Sequence, residues 1–180
     1  MQSYFQTGFR QKRHGIQVLE VLLLFPVLLI ATFSFFVLGP TVTVRQAVQH
    51  AAEETAREVA KKVGTQTTTI IATEVVNEVL SVHGLEGTNM PLALAPSGVR
   101  VDVWEYDALG MAIETTSLGD LTIPAPTNPP NMGNFTNPDQ VIAQVTVAVD
   151  DAPIPNVLSE MKFDISGRYL THRTTAFRDP

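Results

Sequence analysis

An α+β fold is what this sequence predicts: a long N-terminal transmembrane and stalk helix, a second helix, then a small antiparallel sheet of three to four strands. Three observations carry that expectation. An apolar run of 24 residues extends from Ile16 to Gly39. Small apolar residues then recur at helical spacing from Val48 to Val63. Two later segments, 99–106 and 141–149, alternate as half-buried strands do.

The apolar run comes first in the chain and decides its setting. IQVLEVLLLFPVLLIATFSFFVLG carries one charge, Glu20. At about 1.5 Å per residue it reaches about 36 Å, enough to span a bilayer core with some tilt. The preceding residues 1–15 hold Arg10, Lys12 and Arg13 and no acid. Positive charge stays on the cytoplasmic side, so the tail is expected inside and the C-terminal domain outside a cytoplasmic membrane. The run exceeds the roughly 7–15 residues of a cleaved secretory signal, and its exit lacks a small-residue cleavage site.

Two residues inside the run need a reason. Glu20 is ionisable within an apolar helix, which is costly and marks function by default. One turn past Gly15, it can also snorkel to the headgroups. Pro26 lacks an amide proton and leaves the Leu22 carbonyl without its helical donor, a defect that a membrane helix tolerates.

Gly15-Ile16-Gln17-Val18-Leu19-Glu20, between a basic leader and an apolar helix, resembles the type IV prepilin processing site. VLEVLLLFPVLL further resembles the TadE-like pseudopilins of tight-adherence (Flp, type IVc) pilus systems. The likeness covers about the first 50 residues and is weak past about residue 65. It implies cleavage after Gly15 by a membrane prepilin peptidase, with Ile16 as the new N-terminus and Glu20 as the fifth residue of the mature chain. Ile16 departs from the small or aromatic residue often found there. The resemblance also implies that Glu20 and Pro26 serve subunit packing, the Glu20 carboxylate pairing with a neighbour's amino terminus. Opposite charges attract strongly at low dielectric, and an unpaired buried carboxylate is penalised. Processing would leave 9 basic residues against 18 acidic ones.

Beyond the membrane, Gly39-Pro40 reads as a break, followed by a helical continuation over 40–64. Val48, Ala51, Ala52, Thr55, Ala56, Val59, Ala60 and Val63 mark its apolar face, best used to cover a sheet. Glu53 with Arg57 and Glu58 with Lys62 are its favourable i,i+4 pairs. Gly64 offers a C-terminal cap. The remaining 65–180 form the exterior domain. Its helix is expected over about 68–83, with Ile71, Ala72, Val75, Val76, Val79 and Leu80 inward and Gly84 at its close, although a strand at 67–72 competes. Strands are expected at about 99–106, 111–116, 141–149 and 163–177. Pro- and Gly-rich 85–98 and Pro- and Asn-rich 121–138 are loops, and 157–161 is a short helix or loop.

The chain has no cysteine, which excludes disulfides, thiol chemistry and an acylated cysteine. With 12 basic and 18 acidic residues and no basic stripe past the N-terminus, nucleic-acid binding is not expected. No phosphate loop, nucleophile elbow, zinc-protease pair or dinucleotide fingerprint is present. His14, His50, His83 and His172 are scattered, so no metal, cofactor, catalytic residue or small-molecule substrate is expected. Asp150-Asp151 is read as a turn, Trp104 as a core residue, and the Asn134-Phe135-Thr136 glycosylation pattern as accidental.

The function expected is therefore a structural one: a TadE-like pseudopilin or minor pilin in pilus biogenesis. Its partners would be membrane lipid, the prepilin peptidase, other pilins and the inner-membrane pilus machinery, with a possible place in an extracellular filament. The alternative is an uncleaved signal-anchored protein whose exterior domain is a binding module. An exported enzyme ranks third, for want of a catalytic constellation.

Overall fold

The first helix, α1, runs unbroken from Thr7 to Ala60, 54 residues, with Pro26 and Pro40 inside it. This computed structural model describes residues 7–62, 66–82, 85, 98–107, 109, 111–126, 139–156, 159 and 164–178, with side chains along α1 from residue 17 onward and none at 112–113. The expected break at Gly39-Pro40 is not there. Proline costs the helix one N–H but does not end it when neighbouring hydroxyls back-bond the turn. Thr41 Oγ1 donates to Val37 O at 2.7 Å and Thr43 Oγ1 to Gly39 O at 3.2 Å, on both sides of the proline.

The upper part of α1 buries one stripe: Val44, Ala47, Val48, Ala51, Ala52, Thr55, Ala56 and Val59. These are small side chains at i, i+3, i+4 spacing, so the helix lies close against what it covers. Its outer face is charged. Glu54 pairs with Arg57 at 3.7 Å and Glu58 with Lys61 at 2.7 Å, both i,i+3. The expected i,i+4 partners differ because Glu53 takes a bond from Gln49 Nε2 at 2.9 Å, and Lys62 lies beyond the helix end and turns inward. The hydrogen bond and charge of Glu58 raise the Lys61 pKa above its ordinary value.

The second helix, α2, spans Thr68–Ser81, with Thr67 as N-cap accepting from Ile70 N. The competing strand at 67–72 does not form: Ile71, Ala72, Val76 and Leu80 share one buried face of the helix, as helical spacing requires. The caps expected at Gly64 and Gly84 lie outside the described residues.

Four strands follow: β1 Val99–Tyr106, β2 Ala112–Gly119, β3 Gln140–Ala148 and β4 Tyr169–Phe177. They form one antiparallel sheet in the order β2-β1-β3-β4. β2 runs past its expected end at 116, continuing its pairing to Gly119, where φ is +81°. β4 starts later than expected. Asp164 accepts from Ser166 N and Oγ and from Asn156 Nδ2, closing a turn that Gly167 (φ +67°) completes. Those bonds lower the Asp164 pKa, the Ser166 amide first. The Asp150-Asp151 segment, expected as a turn, is the end of a short 3-10 helix, Val149–Asp151, and Asp150 Oδ2 accepts from Gly167 N at 2.8 Å. Of 157–161 only Ser159 is described, and the Asn134 to Thr136 pattern lies outside the described residues.

α1 lies over β3 and β4, and α2 packs on α1 and touches β1 and β2. Val99, Val101 and Val103 of β1 and Val141, Ala143, Val145 and Val147 of β3 meet the helices in one core. The opposite sheet face is also buried along β1 and β3, with Trp104, Tyr106 and Ile142 clustered at one end and polar side chains beyond them. Arg100 makes a bidentate pair with Asp102 at 2.9 and 3.0 Å, and Ser117 Oγ donates to Asp102 at 2.7 Å. Arg100 also reaches the carbonyl of Ile123 at 2.9 Å. Ile123 is itself buried, while Leu121, Thr122, Pro124 and Ala125 around it are exposed, so the front of the expected 121–138 surface loop is anchored at one residue.

Candidate functional site

The lower part of α1 is the candidate site, an exposed apolar helix compatible with a single-pass membrane anchor. From Val18 to Leu38 it displays Val, Leu, Ile and Phe on every side; Leu22 is 71 % and Phe35 76 % exposed. One apolar, unpacked helix near the N-terminus is long enough to cross a membrane. Exposing so much large apolar surface to water is unfavourable by roughly 25 cal/mol per Å², and a bilayer core removes that cost.

The sequence-expected residues sit on this helix as follows. Arg10, Lys12, Arg13, Gly15 and Ile16 lie in its first turns, where only the backbone is described. Glu20 is exposed on the apolar segment. Gly15 and Glu20 are about 7.5 Å apart along the axis, and Glu20 and Pro26 about 9 Å and roughly 120° around it. The helix therefore does not bring Glu20 and Pro26 onto one face. Pro26 leaves the helix continuous, as Pro40 does.

A second concave feature lies between α1 and α2. It is an open groove of about 810 Å³, walled by Glu54, Glu58, Glu74 and Glu78 beside His50, over a floor of Ala47, Val75 and Val79. Its carboxylates are strung along two helices, and among the described residues no three His, Asp or Glu side chains come close enough to hold a metal ion. His172 sits on β4, and His14 and His83 lack described side chains.

Two side-chain clusters escaped the sequence reading. On the helix side of the sheet, Glu105 is buried and receives Lys62 Nζ at 3.6 Å, Arg178 Nη2 and the Thr68 hydroxyl. Lys62 Nζ also donates to Thr68 Oγ1 at 3.0 Å. The signal was available: Val99, Val101, Val103 and Glu105 alternate together, which puts an acid on the core face. On the other side, the Arg173 guanidinium lies 5.4 Å from the Trp104 ring centroid, and its Nε donates to Gln144 Oε1 at 2.8 Å. Trp104 is buried, and burial also raises the pKa of its neighbour Tyr106 against the opposing pull of Arg173.

No protein-family model, no curated protein and no solved structure matches this chain.

Proposed function

We propose that this chain is a pseudopilin of the TadE-like kind, a structural subunit that serves assembly of a tight-adherence type IV pilus. The observation that carries this reading is a conjunction on one helix. A basic leader and Gly15 precede an apolar span that carries Glu20 near its start, and the same helix continues without a break into a small-residue stripe on a four-stranded antiparallel sheet. An anchor alone needs neither an acid in lipid nor a glycine five residues before it.

In this reading the leader holds the precursor N-in, and cleavage after Gly15 frees the amino group of Ile16. Glu20 pairs with such an amino group on a neighbouring subunit and sets the register of packing. The uninterrupted α1 lets the exterior domain and the membrane segment move as one rigid lever. The role is structural, not catalytic, and the chain resides in the inner membrane with its domain outside.

Glu20→Ala tests the assembly role. The variant is expected to insert normally and to be processed, yet to lose filament formation in a strain that depends on it. Normal filaments from Glu20→Ala would remove Glu20 from the mechanism. A chain that keeps its leader in native membranes would favour a signal-anchored binding module.

A further inference from the structure

The outer edge of β4 presents backbone groups that the sheet does not use. Val149 N donates to Arg168 O and Arg178 N to Asp139 O, each at 2.9 Å, at the two ends of the β3–β4 ladder. Hydrogen-bonded and non-hydrogen-bonded pairs alternate along an antiparallel pair. Leu170, His172, Thr174 and Ala176 therefore direct their N–H and C=O groups to β3, given the observed register. Tyr169, Thr171, Arg173, Thr175 and Phe177 direct theirs outward, where no strand lies among the described residues.

Among the described residues this edge is long and unguarded. It runs nine residues without proline, glycine or register shift, whereas the opposite edge pair is shifted between Glu105 and Tyr106. Edges are ordinarily blunted by bulges, prolines or outward charges. Arg173 is no such guard, because Gln144 and Trp104 hold it inboard over its own sheet. Tyr169 and Phe177 stand on the same sheet face at the two ends, 45 % and 55 % exposed.

We propose that β4 accepts an extended, acid-bearing segment of another polypeptide as a fifth strand. The charge argues for the acid: Arg168 stands just before this strand and Arg173 on it, with no Asp or Glu between Ile165 and Arg178, while Arg178 is taken up by Glu105. The backbone argues for an extended segment, since five residues with paired outward donors and acceptors match a strand and nothing else.

A second copy of this chain fits poorly, given α1 as a membrane anchor. Antiparallel β4-to-β4 pairing needs a two-fold axis normal to the sheet. That axis reverses α1, which lies flat on β3 and β4, so two copies could not share one membrane. Full overlap would also set Arg173 opposite itself, and like charges directly opposite are destabilising. Head-to-tail pairing of β4 with the next copy's β2 keeps the sense. However, four strands at about 20–25° of twist each turn the next anchor by about 80–100°. The proposal is independent of the pilin reading, because processed and unprocessed chains carry the same edge.

The test uses the full chain in detergent micelles and a synthetic peptide of about nine residues, alternating Val and Thr with two Glu. Residue-resolved amide exchange should show new protection at Tyr169, Thr171, Arg173, Thr175 and Phe177 and no change at Leu170, His172, Thr174 and Ala176. The same peptide with Lys in place of Glu should bind at least about tenfold more weakly. Thr171→Pro removes an outward donor without breaking a ladder bond, and should abolish the protection. A peptide N-methylated at every amide, which has no donor on either edge, should fail to bind the unaltered chain, which repeats the test without a variant. Protection absent from the five amides, equal binding of the Lys peptide, or binding of the N-methylated peptide overturns the proposal. So does protection already present without peptide in a dimeric chain.

Discussion

Lys62 Nζ stands 3.6 Å from Glu105 Oε1, and this pair fastens the end of the long helix to the sheet. Arg178, just past β4, and Thr68, opening α2, close on the same carboxylate. One buried acid therefore holds together the C-terminal end of α1, the start of α2, β1 and the end of β4. Lys62 and Arg178 are themselves only partly buried, at 23 % and 25 % exposure. Loss of the acid leaves two cations that can reach water, while loss of one cation leaves the acid still paired.

Glu105→Ala is accordingly expected to destabilise the exterior domain by about 2–3 kcal/mol, and Lys62→Ala by about 1 kcal/mol. Denaturant unfolding of the full chain in micelles measures both. Equal losses would mean that the pair with Lys62, not the hub, carries the stability.

Gly98 precedes β1 with φ +64°, and a Cβ there would meet Asp151 Cβ at 2.4 Å. Gly167 has φ +67° with open space around it. Gly98→Ala therefore bears both backbone strain and a clash, and should cost at least about 2 kcal/mol; Gly167→Ala, strain alone, should cost about 1 kcal/mol. Thermal melts of the two variants check the order.

Trp104 is the chain's one tryptophan, so its emission reports its own surroundings. Arg173→Ala removes the guanidinium that lies over the ring. The expected loss is about 1 kcal/mol with a red shift of the emission as water reaches the indole. Unchanged emission would show that Arg173 is not what keeps Trp104 dry.

The period-2 pattern of Val99 to Tyr106 and the 3.6 spacing of Val48 to Val59 were legible because burial on one face writes itself into sequence. Both elements stand where that spacing puts them. The long transmembrane and stalk helix was legible from its length and spacing, but its passage through Gly39-Pro40 without a break was not. Gly39-Pro40 is a breaker by local propensity, and only the hydroxyl bonds of Thr41 and Thr43 and the packing from Val44 onward override it. The start of β4 was hidden for a similar reason, since Thr- and Arg-rich 163–177 alternates throughout while the Asp164 turn cuts it short. The three partners of Glu105, namely Lys62, Thr68 and Arg178, come from segments distant in sequence, which no spacing rule reveals. Of the candidate site, the apolar span was fully readable, because a helix long and apolar enough to cross a membrane is recognised by length and composition alone.

If α1 belongs to a processed assembly subunit, as proposed, the N-terminus of the chain in its native membrane carries the mark of that processing. Intact mass and N-terminal sequencing should find a chain that begins at Ile16 and lacks the leader with Arg10, Lys12 and Arg13. Gly15→Leu should block that cut and leave the precursor. A native chain that begins at Met1, beside an active prepilin peptidase, would contradict the account.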